Sequence, residues 1–552
     1  MKPGLSGGLS LPACAALAAL AGAGAFANSI GNDFAYDDRL IVLGNESIQQ
    51  LETLPGTFLE PYWPNRHGRE MGLWRPVATW LYGLQWALWG GDPTGFHVVN
   101  VVLNSLCAAL VVLLLGQLLP TPAAVVGGIL FAVHPVHSEV VANVVGMAEL
   151  LSAGLYLGAC LVVVRSGKRM GPVALMVVGA LFLLACLVKE SAVTLPGTVL
   201  LLDAARRTIR LGDVKAYLRE RWPLYAVLAL VMTGLCLGRI AVLGSIANAF
   251  PPMGAEILAD GEVPRIWTVL ATWPEVLRLL LFPLDLSIDY TPEVVPVAYG
   301  WTARSALGLF IGLAVLVVAW GTWRAGRLST VVLSPRALGF GILWFVVTVL
   351  PVSNLFFLTG VLLAERTLFL PSVGLAAGAG WMLVQLRRER PRIGTAVTIA
   401  AILLFSCRTI VRNQVWKDSS TVFEALIRDH PESGRAQWLI GDFHFNRGDH
   451  AEGLLAYRRA IGMLGESYTL LSEVGRRLVF AGFDEPGERV LRRAWSKNPE
   501  FGLAPSILAV LYDRQGRWTL AEDASRAALA AEPGNLIQAH LLTRARTARQ
   551  SH

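Results

Sequence analysis

The feature that most restricts this chain is a succession of apolar runs. They lie at roughly 9–27, 96–119, 121–134, 147–164, 172–188, 191–204, 223–243, 302–322, 337–352, 367–386 and 394–410, with almost no charge inside them. A run of about 20 apolar residues suits a helix crossing a bilayer, where the backbone must satisfy its own hydrogen bonds. The chain is therefore expected to be all-α, with about eleven transmembrane helices, several of them short for a full crossing. The stretch 265–284 is expected to be a further span or an interfacial helix. With 54% hydrophobic and only 16% charged residues among 552, there is too little polar surface for an ordinary soluble globule.

Alternating the spans from a cytoplasmic N-terminus puts Arg165/Lys168/Arg169, Arg206/Arg207/Arg210, Arg324/Arg327 and Arg387/Arg388/Arg390/Arg392 on the inside, as the positive-inside bias requires. The net charge of +7 then reports topology rather than a nucleic-acid partner. The first run ends in Ala25-Phe26-Ala27 and is open to two readings, a cleaved signal or a retained anchor. The loop 28–95 falls outside, where Arg39, Arg66, Arg69 and Arg75 could serve an anionic ligand. The six cysteines sit in or beside apolar runs and show no disulfide or metal spacing.

Composition changes after the last run, dividing a membrane domain, 1–411, from a soluble helical one, 412–552. Gly448, Gly482 and Gly516 follow one another at 34 residues, the period of the tetratricopeptide repeat (TPR). Small residues seven before each glycine (Gly441, Gly475, Ala509) and twelve after (Ala460, Ala494, Ala528) allow paired helices to approach. Tyr457 fills a large position between helices, and Pro499 and Pro533 close two units. Repeats at about 434–467, 468–501 and 502–535 would build an α-solenoid whose groove takes a peptide or protein.

The same threading gathers the polar residues flanking the spans at one side of the membrane. They are Asp37 and Asp38, His134, His137 and Glu139, Lys189 and Glu190, Asp285 and Asp289, and Glu365 and Arg366. Ionisable groups near lipid are costly, so a convergent set marks a candidate site. Asp37 and Asp38 could ligate a divalent cation such as Mg or Mn, cap a helix, or act as a general base; an isolated Asp-Asp is most often a solvated turn. His134 and His137 share one face of a helical turn, but no zinc spacing accompanies them. They end a span, hydrogen-bond a sugar or phosphate, or orient the carboxylates. Lys189-Glu190 and Glu365-Arg366 would each neutralise one another or a ligand, with Lys189 and the forked Arg366 suited to phosphate. Trp74-Arg75-Pro76 opens an aromatic stretch (Trp80, Tyr82, Trp86, Trp89) expected to lie in the interface.

An ordered set of motifs then becomes recognisable: Tyr36-Asp37-Asp38, Trp74-Arg75-Pro76, Gly95-Phe96-His97 with Asn100, His134-Pro135-Val136-His137-Ser138-Glu139, Gly146 with Ala148-Glu149-Leu150, Lys189-Glu190, Phe282-Pro283 with Asp289-Tyr290, and Ala364-Glu365-Arg366 through Leu370-Pro371-Ser372. With repeats behind it, this set resembles the transmembrane and tetratricopeptide-repeat (TMTC) O-mannosyltransferase family, of the type-C glycosyltransferase (GT-C) architecture. The resemblance implies a polyprenyl- or dolichyl-phosphate sugar donor and a carboxylate in the first outer loop that assists the acceptor. It carries catalysis to Asp37 and Asp38, with preference for Asp38. Donor contacts are expected from Lys189, Glu190, Arg366, Glu365, His134, His137, Arg75 and Glu149. Met147 stands where the family often has arginine, and about three repeats are fewer than eukaryotic members carry. The Ala-, Gly- and Arg-rich composition suits a bacterial member.

The expected function is transfer of a sugar, mannose by resemblance, to a hydroxyl of a protein acceptor on the periplasmic side of the inner membrane. The main rival is a non-catalytic scaffold displaying its repeats for envelope assembly. A transporter of lipid-linked sugars would instead place its charges at mid-membrane.

Overall fold

The computed structural model describes residues 9–64, 68, 72–167, 169–206, 214–246, 262–290, 294–295, 297–328, 335–356, 358–359, 361–531 and 535–550. Lys168, Arg207, Arg210, Arg66, Arg69 and Pro533 lie outside the described residues, as does the side chain of Arg327. Secondary structure among the described residues is helical, without strands.

A bundle is built from the helices Leu11–Phe26, Pro93–Leu115, Thr121–Ala132, Met147–Arg165, Pro172–Val188, Leu195–Ala205, Val214–Leu243, Ala303–Leu328, Arg336–Val349, Ser372–Glu389 and Pro391–Asn413. Six helical segments are individually long and apolar enough to cross a membrane, and a seventh results if Thr121–Ala132 and Pro135–Ala142, bent by 47°, form one broken span. The shorter helices owe their place to packing. A Cβ on Gly341 would lie 2.3 Å from the Gly374 carbonyl oxygen, and one on Gly127 would lie 2.3 Å from that of Ala376. Helices there touch backbone to backbone, the small-residue packing that serves in lipid, where hydrophobicity alone does not drive helices together.

The stretch weighed as a span or an interfacial helix forms Glu262–Leu281, with Pro274 inside it, and packs on Ala303–Leu328, with the Leu270 carbonyl lying where a Cβ on Gly308 would stand. At 20 residues it is long enough to cross a membrane but, with Glu262, Arg265, Glu275 and Arg278, it is not apolar enough. Pro76–Trp89 starts on Pro76, which has no amide hydrogen to lose in a first turn. Its Tyr82 is buried and donates to the Val145 carbonyl at 3.0 Å, while Trp80 and Trp89 face outward.

At one end of the bundle the spans are interrupted by short turns, Pro135–His137, Glu190–Thr194 and Glu365–Leu368. Arg165, Arg387 and Arg388 lie in the last turns of their helices, and Arg206 caps Leu195–Ala205, all at the other end. The polar and basic groups are thus segregated along the bundle axis.

Beyond Asn413 the helix Ser419–Asp429 leads to three antiparallel pairs: Gly434–Arg447 with His450–Leu464, Tyr468–Phe480 with Asp484–Lys497, and Leu503–Arg514 with Trp518–Ala531. Leu536–Gln550 covers the last pair. Gly448, Gly482 and Gly516 adopt φ of +84°, +84° and +69°, the left-handed ending that favours glycine. A side chain at Gly441 would strike Tyr457 at 2.4 Å, and one at Gly475 would strike Leu491 at 2.5 Å. The small residues are there because the helices cross in contact.

Candidate active site

The loop after the first helix turns sharply at Ala35–Asp38. Tyr36 has φ +54°, a conformation that costs an L residue about 1–2 kcal/mol. Asp38 holds the turn: its Oδ2 accepts from the Ala35 amide at 3.0 Å and the Val144 amide at 3.2 Å, and its Oδ1 from the Val145 amide at 2.8 Å. Asp38 is fully buried. Burial pushes its carboxyl up to about 7, against the pull of those three amides. Asp37, one residue away on the opposite side of the turn, faces open space.

That space is a cavity of about 910 Å³, within the range of small-molecule sites. Its polar wall includes Tyr36, Asp37, Arg75, Glu139, Glu149, Lys189, Glu190, Arg239, Asp289, Arg366 and Arg435; Trp63, Trp74, Met232, Leu235, Phe356 and Leu358 contribute to an apolar wall. Burial raises the Asp37 carboxyl above the usual carboxylate range, and Arg366 and Arg435 oppose that rise.

The pairs adjacent in sequence are split, which corrects the expectation that they neutralise one another. Lys189 pairs with Glu149, both nearly buried. Glu190 receives Arg75 in a fork, with Nε at 3.1 Å and Nη2 at 3.0 Å from Oε2. Arg366 pairs with Glu139 by its side chain and, at 2.8 Å, by its backbone amide. Neighbouring side chains in a turn point in different directions, so each meets a partner on another element. Glu365 points behind the wall, where it accepts from the Ser287 amide at 2.7 Å and the Tyr290 hydroxyl at 2.8 Å, with the buried Arg412 guanidinium 3.9 Å away. Burial pushes Glu365 up to about 7.

The structure does not bring the two histidines to the cavity, contrary to their assignment as donor contacts. His134 Nδ1 accepts from the Val136 amide at 3.2 Å and its Nε2 is 3.0 Å from the Leu280 carbonyl. His137 Nε2 lies 3.0 Å from Ser372 Oγ, and both rings pack among Phe131, Phe369 and Phe405. Pro135 between them turns the imidazoles into the bundle, where they pin the broken helix. Asp37 and Asp38 do not present their carboxylates together as a cation site would need, because the Asp38 oxygens are engaged by amides. Among the described residues no group of three or more His, Cys, Asp or Glu side chains could hold a metal ion.

Glu139 and Asp289, members of the convergent polar set, both line the cavity, though neither carries a spacing signal that assigns it a role. Another cavity residue has no signal in the sequence at all. Arg435 belongs to the first repeat helix and donates to the Tyr36 hydroxyl at 2.9 Å; it also stands 3.4 Å from Asp289. Met147 is buried beside Gln85, away from the cavity wall.

Fold and site together define a multi-pass, all-helical membrane protein with a C-terminal tetratricopeptide array and a charged cavity at one end of its bundle. The dolichyl-phosphate-mannose-protein mannosyltransferase family matches residues 74–236, and the tetratricopeptide repeat matches 411–467. The chain is similar to protein O-mannosyl-transferase TMTC4 of Mus musculus, 26% identical over 78% of this chain and 64% of the relative. It is 32% identical to protein O-mannosyl-transferase Tmtc2 of Drosophila melanogaster over 54% of this chain and 33% of that protein. The chain thus spans less than two thirds of the length of these relatives. Among solved structures, the archaeal oligosaccharyltransferase AglB from Archaeoglobus fulgidus, in complex with an inhibitory peptide and a dolichol-phosphate, superposes with a TM-score of 0.40 at 14% identity, over 73% of this chain and 55% of that one.

Proposed function

We propose that the protein is an inverting membrane glycosyltransferase of the GT-C type, which moves a sugar, mannose by its relatives, from a polyprenyl-phosphate donor to a hydroxyl of a protein acceptor. The observation that carries this reading is Asp37 facing Arg366, Lys189 and Arg75 in one cavity with an apolar wall. An isoprenoid chain suits that wall and a phosphate suits the three cations.

In this reading Asp37 is the base and Asp38 its support. The acceptor oxygen bonds to the anomeric carbon as the bond from that carbon to the phosphate oxygen breaks. The hydroxyl proton passes to Asp37, and the lipid phosphate leaves with the electron pair, stabilised by the cations. Glu139, Glu149 and Glu190 hold those cations in place and offset their charge. The site would face the periplasm from the inner membrane, with the Arg165, Arg206 and Arg387/Arg388 end in the cytoplasm, and the repeats would present the acceptor.

The internal pairing of each cation also suits the rival scaffold, in which these are structural ion pairs. Mass spectrometry of envelope proteins and glycolipids from cells with and without the gene separates the two. Gene-dependent hexose on serine or threonine peptides is the expected result. Identical protein and lipid glycans in both strains would remove the enzyme reading, and a change confined to glycolipids would remove the protein acceptor.

A further inference from the structure

The repeat array is seated on the bundle by more than its connecting chain. The Asp33 amide donates to the Lys417 carbonyl at 2.7 Å, Asn32 donates to the Trp416 carbonyl at 3.1 Å, and the Tyr36 amide donates to Ser419 Oγ at 3.0 Å. Arg412, at the end of the last bundle helix, lies 3.8 Å from Asp429 on the following helix and 3.9 Å from Glu365, next in sequence to Arg366. From this seat the first repeat helix, Gly434–Arg447, carries one side chain, Arg435, to the cavity wall. There its guanidinium meets the Tyr36 hydroxyl and Asp289, residues on two different loops.

We infer that Arg435 is a positioning residue of the membrane site, supplied by the repeat array, which braces Tyr36 against Asp289 and so fixes the turn that aims Asp37 at the acceptor. Tyr36 sits in a left-handed conformation that the chain would leave if it were free to do so, and Arg435 grips the far end of its side chain. An acceptor protein engaging the repeats would therefore act on the same element that holds the base in place. The cavity is incomplete without the array.

Asp37 is surrounded by Tyr36 on its own loop, Arg75 before Pro76–Trp89, Glu139 in the second segment of the broken span, Arg366 in its turn, Asp289 after Glu262–Leu281, and Arg435. Tyr62, Glu149, Lys189, Glu190, Arg239 and Tyr290 also line the cavity. Arg435 is one of the cations that oppose the rise of the Asp37 carboxyl, so removing it should raise the Asp37 pKa further.

The inference rests on the glycosyltransferase reading only in its kinetic arm, so the test has two arms. Full-length wild type, Arg435→Ala and Arg435→Lys, in detergent, are labelled across pH with a hydrophobic carbodiimide, which reacts with protonated carboxyls, and Asp37 is quantified by peptide mass spectrometry. The expected midpoint rises in Arg435→Ala and returns toward wild type in Arg435→Lys. In the second arm, transfer from polyprenyl-phosphate-mannose is followed across pH. Arg435→Ala should lose kcat/KM at every pH, because Asp37 is no longer aimed, and should lose several-fold more on the acid side. Superimposable labelling curves for wild type and Arg435→Ala overturn the inference, and so does a kcat/KM that is unchanged across the whole pH range. A wild type without transfer would count against the proposed function, while the labelling arm would still decide the role of Arg435.

Discussion

Asp37 and Asp38 differ by one position and by everything that surrounds them, and asparagine at each should have opposite consequences. Asp38 offers acceptors to three amides, those of Ala35, Val144 and Val145. An asparagine has one carbonyl oxygen and one amide nitrogen, so in its best orientation the oxygen keeps Ala35 and Val144 while the nitrogen faces the Val145 N–H. One bond to a charged acceptor is lost, the Val145 N–H keeps only Asn143 Oδ1 at 3.2 Å, and the new amide nitrogen is buried without an acceptor, a destabilisation of about 2–4 kcal/mol. Against a total stability of about 5–15 kcal/mol, Asp38→Asn should fold but melt earlier. Asp37→Asn disturbs no such network and should melt with wild type, but loss of the base should lower kcat by about 10²–10⁴-fold. Thermal melting in detergent and single-turnover transfer from polyprenyl-phosphate-mannose read the two effects separately. An unchanged melt with lost turnover in Asp38→Asn, together with retained turnover in Asp37→Asn, would reverse the two roles and refute the reasoning.

Lys189→Met leaves Glu149 nearly buried without its cation and should cost about 3–5 kcal/mol; adding Glu149→Leu should recover the melting temperature but not donor affinity, measured as KM for the lipid donor. Because burial raises the Asp37 carboxyl and only its ionised form accepts a proton, kcat/KM should fall as pH drops through a value above the ordinary carboxylate range, and an acid limb at that ordinary range would contradict the burial of the base. Gly482→Ala, at φ +84°, should cost about 1–2 kcal/mol and speed hydrogen exchange in Tyr468–Phe480 and Asp484–Lys497 while sparing the bundle.

Much of this molecule is written in one dimension. Apolar run length specified helices suited to a bilayer, the 34-residue glycine period specified paired helices, and the separation of arginine clusters from carboxylates and imidazoles specified a two-ended bundle. Each is a property of consecutive residues, since helix length, helix face and turn conformation all follow from local sequence. What the chain order could not state is which charge meets which. Lys189-Glu190 and Glu365-Arg366 look like ready-made pairs, yet Arg75 reaches Glu190 across 115 residues and Arg366 reaches Glu139 across 227. Those partners depend on how helices pack and where the interrupted spans turn. The same holds for the histidines, turned inward by Pro135, for Asp38, claimed by three amides, and for Arg435, which has no feature in the repeat sequence to mark it and acquires its place only because the array docks over the Asp37 turn. Local sequence fixed the periods and the ends of the bundle; packing between distant segments decided which carboxylate faces the cavity.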